Sequence, residues 1–182
     1  MTCTIAYKDG NVIVMGCDSA ATDDNTNMKI RKGCQKVWKQ GDFIVGFCGN
    51  YSELVWIRNA FQWPERDKYE SLEHWLIKKV FISLSKDLKK QERTEISWRL
   101  LFGFVAPARI ILLDQCGDVE ECEENFAVIG SASEYAIGCL KALEIKDVSE
   151  LYSWEKIEKA LKIAENYNSS VRGPMHVEIL MS

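Results

Sequence analysis

The sequence predicts an α+β fold: a four-layer αββα sandwich, two stacked antiparallel sheets flanked by helix pairs. Two observations lead there. Strand signals and helix signals come in blocks, in the order strands, two helices, strands, two helices, strand. Sheets and helix pairs alike have an apolar face to bury, and two stacked sheets with helices on both outer sides satisfy that order. Hairpin turn signals inside the first block make neighbouring strands antiparallel.

The first strand is expected at 2–7. Lys8-Asp9-Gly10 is a turn, because Asp-Gly suits the backbone twist of a tight hairpin. The strand returns over 11–17. A polar stretch at 23–32 reads as a loop. A second hairpin is expected at 34–39 and 42–47, around Gln40-Gly41.

Helical spacing begins after Gly49, with apolar positions Leu54, Val55, Ile57 and Phe61 between residues 52 and 61. Ser71 can cap a second helix running to about residue 90. Its apolar positions Leu72, Leu76, Val80, Leu84 and Leu88 recur every four residues. Strands follow at 98–105, 109–113 and 126–129. Two more helices are expected at 133–144 and 153–167, the latter with Ile157, Ala160, Leu161 and Ala164 on one side. A last strand is expected at 175–180. No linker, repeat or low-complexity segment interrupts the chain, so residues 1–182 read as one domain.

Composition narrows the function classes. Hydrophobic residues make up 47% and charged residues 27%, as in ordinary globular proteins. Net charge is −4 with both signs mixed, which argues against a nucleic-acid partner. No apolar run approaches the roughly 20 residues of a membrane helix, and the start lacks a signal-peptide pattern. The seven cysteines form no zinc pattern, and the two histidines share no motif. Reduced, mostly buried thiols in a cytoplasmic protein are the expectation.

Six segments carry a resemblance: TCTIAY at 2–7, GCDSAAT at 16–22, QKVW at 35–38, IVGFCGN at 44–50, AVIGSASEYA at 127–136 and KALKIAENYNSS at 159–170. In this order the chain resembles the proteasome β-subunit superfamily, and within it the HslV-type ring peptidases of the N-terminal nucleophile hydrolases. The resemblance implies a threonine-type peptidase in a self-compartmentalised homo-oligomeric ring. It also suggests an ATP-dependent unfoldase that feeds unfolded polypeptide, with no cofactor in the subunit itself.

The implied nucleophile is Thr2, after removal of Met1. A threonine hydroxyl is a poor nucleophile without a base. A free N-terminal amine supplies one, with a reference pKa of about 7.7–8.0. While Met1 is attached, that nitrogen is an amide and cannot serve. The resemblance makes Asp18 the residue that holds a cleft lysine, best matched by Lys36, with Lys29 and Lys32 as rivals. Gly49 is the match for a backbone donor to the oxyanion, with Gly46 as rival and a simple tight turn as the bland reading. Ser131 matches a serine near the nucleophile's amine; the residue type also suits a helix N-cap, and the two roles are compatible.

Asn166 falls where the family has an aspartate, and Ser169 matches a serine three residues on. Loss of that charge should weaken the orientation of Ser131 and Thr2. Other candidates fit less well. Strand alternation turns Cys3 to the opposite face from Thr2. The Ser83–Lys86 spacing lies on a leucine-striped helix. Two alternatives remain: a noncatalytic scaffold of the same fold, and a hydrolase of small-molecule amides.

Overall fold

The computed structural model describes residues 2–22, 29–31, 34–90, 97–145 and 151–182. In chain order the strands are β1 (Thr4–Asp9), β2 (Val12–Cys17), β3 (Ala21–Thr22), β4 (Lys29–Arg31), β5 (Val37–Gln40) and β6 (Phe43–Gly49). Helix α1 (Tyr51–Asn59) follows, then a long helix α2 over 72–90. Strands β7 (Trp98–Phe104), β8 (Arg109–Asp114), β9 (Val119–Glu121) and β10 (Phe126–Ile129) come next. Helices α3 (Ser133–Ile145) and α4 (Ser153–Tyr167) precede β11 (His176–Met181).

One sheet has the order β10-β1-β2-β11 and the other β5-β6-β7-β8-β9, with every pairing antiparallel. Three apolar layers follow from strand alternation. Ala6, Ile13 and Met15 from the first sheet meet Val37, Ile44 and Leu101 from the second. Outside the five-stranded sheet, Phe43, Trp75, Phe102 and Phe104 pack with α1 and α2. Outside the four-stranded sheet, Cys3, Ile5 and Val14 pack against Ala136, Ile157 and Leu161. The αββα sandwich is the observed architecture.

Ser71 caps α2 by accepting a hydrogen bond from the His74 amide at 3.2 Å. The stripe Leu72, Leu76, Val80, Leu84 and Leu88 is buried throughout. On a regular α-helix a four-residue repeat overshoots a full turn by about 40° at each step. Here the middle of α2, Leu76–Phe81, is π-helical. Its wider turn unwinds that drift and keeps all five side chains on the core side. Each such burial is worth about 1.5–3 kcal/mol relative to exposure.

Differences from expectation lie at sheet edges. β3 and β4 form a two-stranded ribbon, and β4 lies inside the 23–32 segment expected as a loop. β9 carries Val119, Glu120 and Glu121, half-buried or exposed, so it lacks the apolar alternation that betrays a strand. Helices α1, α3 and α4 fall within two residues of their expected ends.

Candidate active site

Thr2 enters β1 at the mouth of the cleft between the two sheets. Alternation sends Cys3 and Ile5 toward the helices and leaves Thr2 and Thr4 on the inner face. The Thr4 hydroxyl donates to the Phe47 carbonyl on the opposite sheet at 3.0 Å. Thr2 is 3% exposed and opens on a cavity of about 70 Å³, whose walls include Ala21, Cys34, Lys36, Phe47, Tyr51 and Leu54. The walls join apolar Phe47 and Leu54 to polar Thr2, Asn50 and Tyr51, with Lys36 as their cation.

Asp18 follows β2 and is fully buried. Its Oδ1 accepts from Lys36 Nζ at 2.8 Å and from the Cys3 amide at 3.0 Å. Its Oδ2 accepts from the Ala20 amide at 3.0 Å. One carboxylate therefore holds the lysine and clamps the peptide that follows Thr2. Lys36 precedes β5 and is also buried. A buried carboxylate with three donors, one of them cationic, has the partners that make a buried charge tolerable. Of the rival lysines, Lys32 lies outside the described residues, as do Met1 and the Lys29 side chain.

Gly49 ends β6 and has φ 151°, a conformation that favours glycine. A Cβ there would meet the Ser97 carbonyl oxygen at 2.2 Å. Gly49 borders both the Thr2 cavity and a neighbouring polar cavity of about 330 Å³. The rival Gly46 is buried between the sheets, where a Cβ would meet Thr4 Cγ2 at 2.7 Å. Its lack of a side chain serves sheet packing.

The second cavity brings in Ser131, together with Arg99, Gln115 and Gly130. Gly130 has φ 116°, and a Cβ there would meet the Thr2 carbonyl oxygen at 2.0 Å. The turn after β10 thus crosses directly over Thr2. Ser131 is exposed, and α3 begins two residues later, at Ser133.

Thr2, Asp18, Lys36, Gly49 and Ser131 are therefore gathered at one end of the inter-sheet cleft. Asn166 and Ser169 are not. Both are exposed, and neither side chain makes a hydrogen bond among the described residues. The side chain that reaches the turn is that of Asn168, the residue just after α4, whose Nδ2 donates to the Ser131 carbonyl at 3.4 Å. Its Oδ1 accepts from the Ser170 amide at 3.0 Å. This corrects the expectation that residue 166 orients Ser131. The helical stripe held the clue: Ile157, Leu161 and Ala164 continue to 168, whereas 166 falls on the solvent side.

The thiols are poor competitors. Burial, followed by the Asp18 charge, pushes the Cys3 thiol up to about 12. Burial does the same to Cys17. Both stay protonated near neutral pH, and the thiolate is the reactive form. Among the described residues no cluster of histidine, cysteine, aspartate or glutamate could hold a metal ion. No helix among them is long and apolar enough to cross a membrane.

A hydroxyl, a buried cation and backbone at a glycine, all at one cavity, are the parts of an acyl-transfer site. A family model described as proteasome subunit matches residues 2–180. A protein from Pseudothermotoga lettingae named ATP-dependent protease subunit HslV is 27% identical, covering 97% of this chain and 96% of the relative. The HslV subunit of Neorickettsia sennetsu is 34% identical, covering 86% and 80%. Among solved structures, eukaryotic HslV from Trypanosoma brucei aligns with TM-score 0.70 at 19% identity, over all of both chains. Thiobacillus denitrificans BPH aligns with TM-score 0.79 at 20% identity, over all of this chain and 98% of that one.

Proposed function

The chain belongs to the proteasome subunit family, and we propose that it is a threonine-type peptidase with Thr2 as nucleophile once Met1 is removed. The observation that carries the reading is the convergence of Thr2, Lys36 and Gly49 on one cavity, with Lys36 held by buried Asp18. The free α-amine of Thr2 takes the hydroxyl proton as Oγ attacks the substrate carbonyl. Lys36 favours the neutral amine and the developing alkoxide. The Gly49 backbone faces the oxyanion of the tetrahedral intermediate. The amine then returns its proton to the leaving nitrogen, and water releases the acyl group from Oγ.

An unguarded N-terminal threonine would cut polypeptides without selection, so the reading includes a closed homo-oligomeric ring with its nucleophiles inside. The relatives' name, ATP-dependent protease subunit, supports an energy-driven unfoldase as partner and unfolded polypeptide as substrate. The cytoplasm is the matching compartment.

Intact mass, light scattering and a covalent probe for N-terminal threonine test the proposal together. The expected result is a Met1-free homo-oligomer labelled at Thr2 only, with turnover of small peptide-amide reporters. Met1 retained in every assembled molecule would instead make the chain a noncatalytic subunit.

A further inference from the structure

The last four carbonyls of an α-helix have no intrahelical partners, and that end carries partial negative charge. Helix α4 has no basic residue in its own last turn. A cation from outside the helix supplies a donor to one carbonyl of its last turn and to two carbonyls of the loop beyond it. Arg172 Nη1 donates to the carbonyls of Glu165 at 3.0 Å, Asn168 at 3.2 Å and Val171 at 2.7 Å. One nitrogen with two hydrogens serves three acceptors, so at least one bond is shared. Among the described residues no carboxylate forms an ion pair with Arg172; its charge meets carbonyl dipoles at contact and, farther off, the Glu165 carboxylate, which it helps hold below the usual range.

The loop folded around this guanidinium touches both walls of the site. On one side the Arg172 carbonyl accepts from the Ser19 amide at 2.9 Å, and Ser19 Oγ donates to the Pro174 carbonyl. Ser19 directly follows Asp18, the residue that holds Lys36. On the other side Asn168, whose carbonyl Arg172 binds, donates from Nδ2 to the Ser131 carbonyl.

We propose that Arg172 is a positioning residue for the Thr2 site: its guanidinium folds residues 168–172 so that this loop fixes the Asp18 and Ser131 walls together. The inference rests on the peptidase reading for its kinetic part. A neutral side chain at 172 takes this donor from the Glu165 and Val171 carbonyls and leaves the Asn168 carbonyl with the Val171 amide alone, and the loop opens. Lysine restores a cation with three hydrogens at one nitrogen, which matches the single-nitrogen contact seen here.

The test uses processed, full-length assembled protein carrying Arg172→Ala or Arg172→Lys, with the unaltered protein alongside. Arg172→Ala should lower kcat by about tenfold or more, the scale of a small misplacement of reacting groups. KM should change little. Arg172→Lys should keep most of kcat, and millimolar guanidinium should restore part of it to Arg172→Ala. Amide hydrogen exchange should accelerate in Arg172→Ala over both 17–22 and 129–133. Unchanged exchange over those two segments overturns the proposal whether or not the unaltered protein turns over substrate. Faster exchange with unchanged kcat overturns it too, because the contact is then structural only. An unaltered protein without turnover refutes the peptidase reading separately, and the exchange comparison still decides whether Arg172 couples the walls.

Discussion

Lys36 Nζ lies 2.8 Å from Asp18 Oδ1, with the two side chains 4% and 0% exposed. The same oxygen accepts the Cys3 amide, so the ion pair and the backbone beside Thr2 share one acceptor. Removing one partner leaves the other charged in a dry setting, a loss of about 3–5 kcal/mol. Asp18→Asn should therefore unfold at much lower urea than the unaltered protein. Adding Lys36→Met should recover part of that stability while turnover stays absent. A single Asp18→Asn variant of undiminished stability would show that the pair does not carry this energy.

Thr2→Ser should keep measurable turnover, because it retains a hydroxyl beside the same amine. Thr2→Ala, processed in the same way, should abolish turnover while circular dichroism and oligomer size stay as they were. Persistent hydrolysis by the alanine variant would place the nucleophile elsewhere.

Asn168 and Asn166 make opposite predictions. Asn168→Ala removes the contacts to Ser131 and Ser170, and should cost about 1 kcal/mol and slow turnover. Asn166 is exposed, so Asn166→Asp and Asn166→Ala should stay within about 0.5 kcal/mol of the parent and change kcat little. A large rate gain in Asn166→Asp would restore residue 166 to the site and contradict the observed geometry.

The buried thiols give a pH signature. Alkylation at pH 8 followed by mass mapping should mark exposed Cys116 and spare Cys3 and Cys17. Burial raises the thiols of Cys3 and Cys17 from 9.0 to about 12. Their contribution to stability is complete below pH 9 and is lost as pH rises toward 12, where ionisation favours the unfolded chain. Urea midpoints across that range should fall, and Cys3→Ala with Cys17→Ala should flatten the fall. An unchanged slope in the double variant would assign alkaline unfolding to other groups.

Local signals determined the secondary structure and the layer order. Asp9-Gly10 and Gln40-Gly41 are turn chemistry, and both glycines take positive φ. The α2 stripe and the α4 stripe are periodicities, visible wherever one helix face is buried. The exposed edge strand β9 has no such face, so no pattern marks it. The site residues were a different matter: neither composition nor spacing singles out Asp18 or Lys36, and only the family resemblance pointed to them. The α4 stripe separates 168 from 166, but tertiary structure decided that the partner of Asn168 is Ser131, and that Arg172 binds the end of α4 and the residue after Asp18. Those partners are 37 residues apart in one case and more than a hundred in the other, joined where β10, β2 and α4 end together. A turn or a stripe is a property of neighbouring residues, whereas these contacts exist only after the sheets stack and bring distant chain ends to one edge.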